Sequence, residues 1–335
     1  MKKISIIVLA LLGCVVGYAQ NWYEAGESFE MFFEPELGVV ANNDVTVPVP
    51  DSVTSSRPSI VHRKDDVVMA RVVYRVIDMR LKQNYQLYTP VVSDDPLYAS
   101  LFRTMLRAIE GGAPIYSKHK SNTSDIRPYF NDSMKIEVKD IPTFFQNHYT
   151  TDELDAMSEE DKSEAFVLTY DPAKDSVSFN PFVYANYAKN VLKFVIQEVV
   201  FFDRHYSRLF TKITAIAPLC AGNLKNLQQD APVMNALYTQ LLFWMPFDKL
   251  RPYLAAQPVT PLGNDKEGNM CYDEFFDKRL YSSYVLGVNN PYSRMVPDLA
   301  KAYEKDIERY YKEIHKLQQE VEADLLMTEQ NLWEY

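Results

Sequence analysis

Glycine is scarce in this chain. Only 10 of its 335 residues are Gly, about 3% where ~7% is usual, and the single adjacent pair is Gly111-Gly112. A phosphate-cradling loop needs glycine, because its backbone must approach the anion with no Cβ in the way. Neither Gly-x-Gly-x-x-Gly nor Gly-x-x-x-x-Gly-Lys-Ser/Thr occurs, which excludes nucleotide binding through those loops. Histidine is scarce as well. His62, His119, His148, His205 and His315 lie scattered, there is no His-Glu-x-x-His, and the 3 cysteines form no Cys-x-x-Cys. Zinc and haem sites of recognisable spacing are thereby excluded. Cations are outnumbered, 35 Lys and Arg against 45 Asp and Glu, for a net charge of −10. That balance argues against nucleic acid or an anionic membrane surface as the main partner, since both ask for a basic face. Past the N-terminal stretch, no apolar run approaches the ~18 residues of a membrane span.

What is present begins with an export signal. Met1-Lys2-Lys3 is a basic start, Ile4 to Val16 is apolar, and Gly17 and Ala19 supply small residues before Gln20. This pattern predicts a secretory signal peptide over residues 1–19, cleaved after Ala19 or one residue later. A competing reading takes Leu11-Leu12-Gly13-Cys14 as a lipobox, although Leu12 is large for its slot and Val15-Val16 replace a polar tether. Loss of Lys2 and Lys3 with the signal moves the net charge from −10 to −12. Export implies the periplasm or beyond, where Cys220 and Cys271 are a possible disulfide. The loop it closes, of about 50 residues, is worth roughly 4 kcal/mol on the chain-entropy estimate. The alternative is two buried thiols.

Residues 20–65 read as an extended arm. From 21 to 56 there is no Lys or Arg, but there are 7 acids (Glu24, Glu27, Glu30, Glu34, Glu36, Asp44 and Asp51) and 5 aromatics (Trp22, Tyr23, Phe29, Phe32 and Phe33). Pro35, Pro48, Pro50 and Pro58 break long helices and strands. Such a stretch cannot build its own core. It is either an arm whose aromatics enter pockets on a partner chain or a strap across its own domain.

The globular part is expected over 66–335, long enough to bury a real core. Val67 to Arg80 is dense in β-branched residues, and Leu97 to Glu110 has a helical apolar spacing with Gly111-Gly112 as its stop. Residues 117–135 read as a polar loop, Lys135 to Val138 as a short strand and Thr151 to Ala165 as a capped helix. Val191–Phe202 and Leu209–Ala217 form the clearest strand pair, a hairpin around Asp203–Arg208 that Pro218 is expected to close. Leu241 to Met245 reads as a strand stopped by Pro246, and Tyr272 to Val285 as a helix. Finally, Leu299, Tyr303, Ile307, Tyr310, Ile314, Leu317, Val321 and Leu325 fall three or four apart. They predict an amphipathic helix over 297–327, with a stripe about 40 Å long. The stripe either packs on its own domain or serves as a coiled-coil seam. The class expected is α+β with an antiparallel sheet.

Chemistry is hard to find. Asp203, His205 and Ser207 alternate onto one face of an extended strand. Same-face neighbours stand roughly 6.6 Å apart, whereas a nucleophile and its base need about 2.6–3.2 Å. A polar hairpin tip is the better reading. Carboxylate pairs such as Asp273-Glu274 suit helix starts. Tyr281, Tyr284, Tyr310 and Tyr311 suit interfaces or an ordinary rim. No catalytic, cofactor or metal residues are assigned.

Specific segments then point to a family. In order they are Arg75-Val76-Ile77-Asp78-Met79-Arg80, Leu87-Tyr88-Thr89-Pro90, Phe201-Phe202-Asp203-Arg204, Ile216-Ala217-Pro218 and Leu242-Phe243-Trp244. Tyr272-Asp273-Glu274-Phe275-Phe276, Tyr281-Ser282-Ser283-Tyr284 and Leu332-Trp333-Glu334-Tyr335 complete the series. With these the chain resembles the GldN/PorN family of gliding-motility and type IX secretion proteins. The resemblance implies a non-enzymatic periplasmic subunit that needs no cofactor and joins a ring under the outer membrane. Its implied partners are a GldK/PorK-like outer-membrane lipoprotein, a GldM/PorM-like motor component and further copies of itself. On that reading, Trp22, Tyr23, Phe29, Phe32 and Phe33 of the arm are the expected contacts with the lipoprotein. The rival class is a free periplasmic ligand-binding or hydrolytic protein.

Overall fold

The computed structural model describes residues 62, 66–90, 98–117, 126–141, 168–174, 176–179, 188, 191–221, 239–260, 270–289, 295–300, 303 and 305–333. Among the described residues the strands are β1 (Val67–Asp78), β2 (Leu168–Asp171), β3 (Ser176–Phe179), β4 (Val191–Asp203), β5 (Arg208–Ala221), β6 (Thr239–Leu241), β7 (Met245–Pro246) and β8 (Ser283–Val288). The α-helices are α1 (Tyr85–Tyr88), α2 (Leu101–Glu110), α3 (Phe247–Ala256), α4 (Tyr272–Asp277), α5 (Val296–Ala300) and α6 (Ile307–Trp333). The main sheet runs β6-β5-β4-β1-β8 with β7 beside β5, antiparallel throughout, and β2 pairs only with β3. This is the α+β class expected.

Period-two alternation builds the sheet. Along β1, Ala70, Val72, Tyr74 and Val76 face one side and Val73 and Ile77 the other, every one of them buried. The first face joins Val195, Val199, Phe201, Ala215, Ala217 and Trp244 in one apolar cluster. The second is covered over one part by α2, α3 and α4, which bring Leu101, Met105, Leu250, Leu254, Phe275 and Phe276 onto Ile77, Phe194, Ile196 and Ile216. Over the other part, Val321 and Leu325 of α6 close over Val73, Val200 and Val285. The C-terminal stripe therefore packs on its own domain. Ser100 sets the start of α2 at Leu101, four residues later than the apolar spacing alone suggests, by accepting the Arg103 N–H at 3.3 Å. Gly112, at φ +88°, ends that helix as expected.

Several boundaries differ from the sequence reading. The second hairpin strand does not stop at Pro218 but continues to Ala221. The Pro218 carbonyl accepts from Leu242 N–H at 3.0 Å, so the missing proline N–H points to that same side and away from the β4 ladder. Leu241–Met245 is no single strand; it ends at Leu241 and resumes at Met245, with Trp244 bridging to Tyr116 between. The helix expected over Tyr272–Val285 stops at Asp277. Arg279 then takes a left-handed φ of 53°, and the chain returns as β8 on the edge of β1. Lys135 makes only an isolated bridge to Tyr116, and Val138–Asp140 is a 3-10 turn rather than a strand. The C-terminal stripe is divided between α5 and α6, because Asp306 restarts the helix by accepting the Arg309 N–H at 3.2 Å. Residues 1–61 and 151–165, with the signal, the arm and the expected short helix, lie outside the described residues.

Candidate functional site

The polar groups that the fold gathers are concentrated around β1 and β4. Glu198 of β4 is completely buried. It accepts from Arg279 Nη2 at 2.8 and 3.0 Å and from the Tyr281 hydroxyl at 3.0 Å. Arg75 Nε lies 3.1 Å from its other side. Two register shifts flank this cluster, between Tyr74 and Arg75 in the β1–β8 pairing and between Gln197 and Glu198 in the β4–β5 pairing. At the second, Thr214 is the extra residue, and its hydroxyl donates to the Gln197 side chain at 2.9 Å. Such bulges re-aim side chains. Arg75 also approaches Glu322 of α6 at 3.5 Å, and Arg71 bonds Asp324 at 2.6 Å. The C-terminal helix is thus tied to the sheet by charge as well as by Val321 and Leu325. Desolvation, reinforced by Glu198, keeps the Tyr281 hydroxyl protonated far above the usual phenol range.

A second cluster ends β1. The Arg80 guanidinium donates to both oxygens of Asp78, at 2.9 Å from Nε and 2.5 Å from Nη2. Burial raises the pKa of Asp78, but the bonds from Arg80 outweigh it and hold the carboxyl below its ordinary range. Buried Asn84 donates to the carbonyls of Asp78 at 2.7 Å and Ser282 at 2.8 Å and accepts the Ser282 N–H at 2.8 Å. The Arg-Val-Ile-Asp-Met-Arg and Tyr-Ser-Ser-Tyr segments are therefore a clamp between β1 and the approach to β8.

At the opposite end of β1, buried His62 lies beside Asp203, Nδ1 to Oδ2 at 2.5 Å, inside an aromatic wall of Phe201, Tyr206 and Phe210. Burial lowers the His62 pKa despite the opposing pull of Asp203. Asp203 also accepts the backbone N–H of His205 at 2.8 Å and of Tyr206 at 3.3 Å. Ser207, at φ 49°, donates to the Arg204 carbonyl at 3.3 Å. Asp203, His205 and Ser207 thus build a hairpin tip and no triad.

Of the residues singled out from sequence, Ala19, Gln20, Trp22, Tyr23, Phe29, Phe32 and Phe33 lie outside the described residues. Cys220 and Cys271 are two buried thiols, not a disulfide. Cys220 lies in the core against Phe194 and Ile216, while Cys271 caps α4 by accepting the Glu274 N–H at 3.5 Å. Asp273 and Glu274 stand in the first turn of α4 as expected, and Asp273 also takes a two-pronged pair with Arg251 at 2.8 and 3.0 Å. Tyr281 and Tyr310 are buried and Tyr311 is exposed.

Glu198, Arg75, Arg279 and His62 are the positions that sequence reasoning missed. The signal was a Gln197-Glu198 pair inside the apolar run of β4, since a charge there is buried only with a partner. Its partners, 81 and 123 residues away, carry no local mark. Among the described residues, no group of three or more His, Cys, Asp or Glu is placed to hold a metal ion, and no helix is long and apolar enough to cross a membrane. The described carboxylates of these clusters are engaged with cations or backbone N–H groups, an arrangement that fixes geometry and presents surface.

No curated protein matches the chain. A protein-family model does, over residues 62–334, from the buried His62 to the far end of α6, and it is described as "Gliding motility associated protein GldN". With the greater part of its length matched, from the root of β1 through the clamp and the C-terminal helix, the chain belongs to the GldN family of gliding-motility and type IX secretion proteins.

Proposed function

We propose that the protein is a non-enzymatic structural subunit of the periplasmic ring of the type IX secretion and gliding machinery. It binds an outer-membrane lipoprotein of the GldK/PorK kind and the periplasmic part of a GldM/PorM-like motor, and it associates with its own copies at the inner face of the outer membrane. The observation that carries this reading is the family match across residues 62–334. The chemistry of the clusters is in keeping with it. Their charged side chains are spent on one another, joining β1, β4, the loop before β8 and α6 into one body, as a load-transmitting part requires.

The test is size-exclusion of the mature protein with and without the lipoprotein. The expected result is co-elution in an assembly much larger than a one-to-one pair. A monomer in both runs refutes the reading and favours a free periplasmic protein.

A further inference from the structure

Four of the large apolar side chains left exposed gather at one end of the molecule. Leu81 (43% exposed) and Tyr85 (50%) follow β1, and Leu280 (38%) precedes β8. Their loops are held side by side by Gln83 donating to the Leu280 carbonyl at 3.3 Å and by the Asn84 bonds to Ser282. Tyr311 (42%) of α6 is the fourth, and it lies within electrostatic reach of the Arg80 guanidinium. Scattered exposed hydrophobics are ordinary, but a cluster of them marks a contact surface.

The charge around this surface is layered. Arg80, Lys82, Lys278 and Arg279 face outward, while two of the carboxylates that pair with them, Asp78 and Glu198, are buried beneath. Glu274, bonded to Lys278, is half-buried, which leaves Asp277 as the exposed acid on the two loops among the described residues. A visitor therefore meets aromatic and aliphatic side chains beside four cationic groups, of which Arg80, Lys278 and Arg279 are paired with carboxylates.

The sequence contains a segment of the opposite character. Residues 21–56 have 7 acids, no Lys or Arg, and the aromatics Trp22, Tyr23, Phe29, Phe32 and Phe33. That arm is rooted at the far end of the sheet. His62 docks on Asp203, which stands opposite Val67 at the start of β1, whereas Asp78 beside the exposed surface stands opposite Lys193. The two ends are separated by the length of β1, about 36 Å at 3.3 Å per residue. Between Phe33 and His62 the chain can span up to about 95 Å, more than the length of β1, so the segment is long enough to reach a second copy. An acceptor at one end and a donor at the other make a head-to-tail contact, which repeats from copy to copy and closes or propagates.

We propose that the acidic aromatic arm of one copy docks on the Leu81–Tyr85–Leu280–Tyr311 surface of the next. This deepens the proposed self-association and rests on it, while transferring the arm from the lipoprotein, its expected contact on sequence, to a neighbouring subunit.

The test uses two full mature chains carrying different affinity tags, one with Ser28→Cys and the other with Lys82→Cys, mixed under mild oxidation with and without the lipoprotein. Cys220 and Cys271 are buried and stay silent. The expected product is a disulfide between the two tagged chains. It is lost when Trp22, Tyr23, Phe29, Phe32 and Phe33 are changed to Ala, or when Tyr85→Ser and Leu280→Ser are combined, and self-association weakens at least tenfold in both variants. A chain bearing both new cysteines that closes on itself, with no mixed product, overturns the proposal in favour of a strap on its own domain. Unchanged self-association of the arm variant overturns it too. Lipoprotein co-purification is read on the same samples. If the arm variant keeps self-association but loses the lipoprotein, the copy-to-copy contact fails while the ring-subunit reading stands.

Discussion

Replacing Glu198 by Gln should cost about 3 kcal/mol of stability. The carboxylate has no solvent contact; it accepts from Arg279 and the Tyr281 hydroxyl and is paired by charge with Arg75 at 3.1 Å. Gln keeps the volume but removes the charge and turns an N–H donor toward groups that are themselves donors. Breaking a buried pair from one side typically costs about 3–5 kcal/mol, because the remaining charge is left uncompensated. The lower figure applies because Arg279 is 39% exposed and Arg75 keeps Glu322 within 3.5 Å. For a domain of this size, each kcal/mol moves the midpoint by about 2–4 °C, so the melt should fall by roughly 6–12 °C. Urea unfolding of wild type and Glu198→Gln, followed by circular dichroism, gives the free-energy difference directly. Asp324→Ala is the contrast. Its pair with Arg71 is largely exposed, 33% and 66%, and exposed pairs contribute about 0–1 kcal/mol. Equal losses from the two variants, or a loss under 1 kcal/mol from Glu198→Gln, would refute the reasoning.

Three further outcomes are expected. A Cβ at Gly111 would lie 1.8 Å from the Tyr253 hydroxyl oxygen, so Gly111→Ala should destabilise by about 1–3 kcal/mol through overpacking of α2 against α3. Adding Tyr253→Leu should recover part of that loss in the same urea assay. Burial keeps His62 neutral at pH values where the unfolded chain is already protonated, so the unfolded state binds more protons and stability falls as pH drops below about 6.5. Asp203, held below its ordinary value chiefly by the His62 bond against the effect of burial, adds a second loss that sets in as pH falls below about 4. His62→Phe should flatten the first step between pH 7.5 and 5.5, and an unchanged slope would contradict the assignment. Burial pushes the Cys220 thiol up to about 12 and raises Cys271 as well, so a thiol reagent at pH 7 should find no fast-reacting group in the folded mature protein and two in denaturant. None in denaturant without reductant would indicate a disulfide.

Much of the architecture was legible because its signals are local. The β-branched run from Val67, the two runs around Asp203–Arg208 and the spacing from Ile307 to Leu325 each repeat a period that one element satisfies alone. The end of the Tyr272–Val285 stretch, read as helix, misled because a short apolar run suits a helix or a strand equally. The open edge of β1 and the left-handed turn at Arg279 decided for the strand. Pro218 misled because a proline's effect depends on which side its missing donor faces, and that is set by the neighbouring strands.

The scarcity of glycine has a counterpart in the fold. Gly111 stands where the ring of Tyr253 leaves no room for a Cβ, and Gly287 does the same against Met295. Residues close together in the chain carried the α+β class, the family, the hairpin and the C-terminal helix, and the acidic, aromatic composition of residues 21–56. Only the tertiary structure decided that Glu198 gathers two arginines, that His62 pairs with Asp203, and that the loops of Gln83 and Leu280 lie side by side. Those pairings join residues that lie scores to hundreds of positions apart. They exist only once burial of the sheet has brought their strands into register.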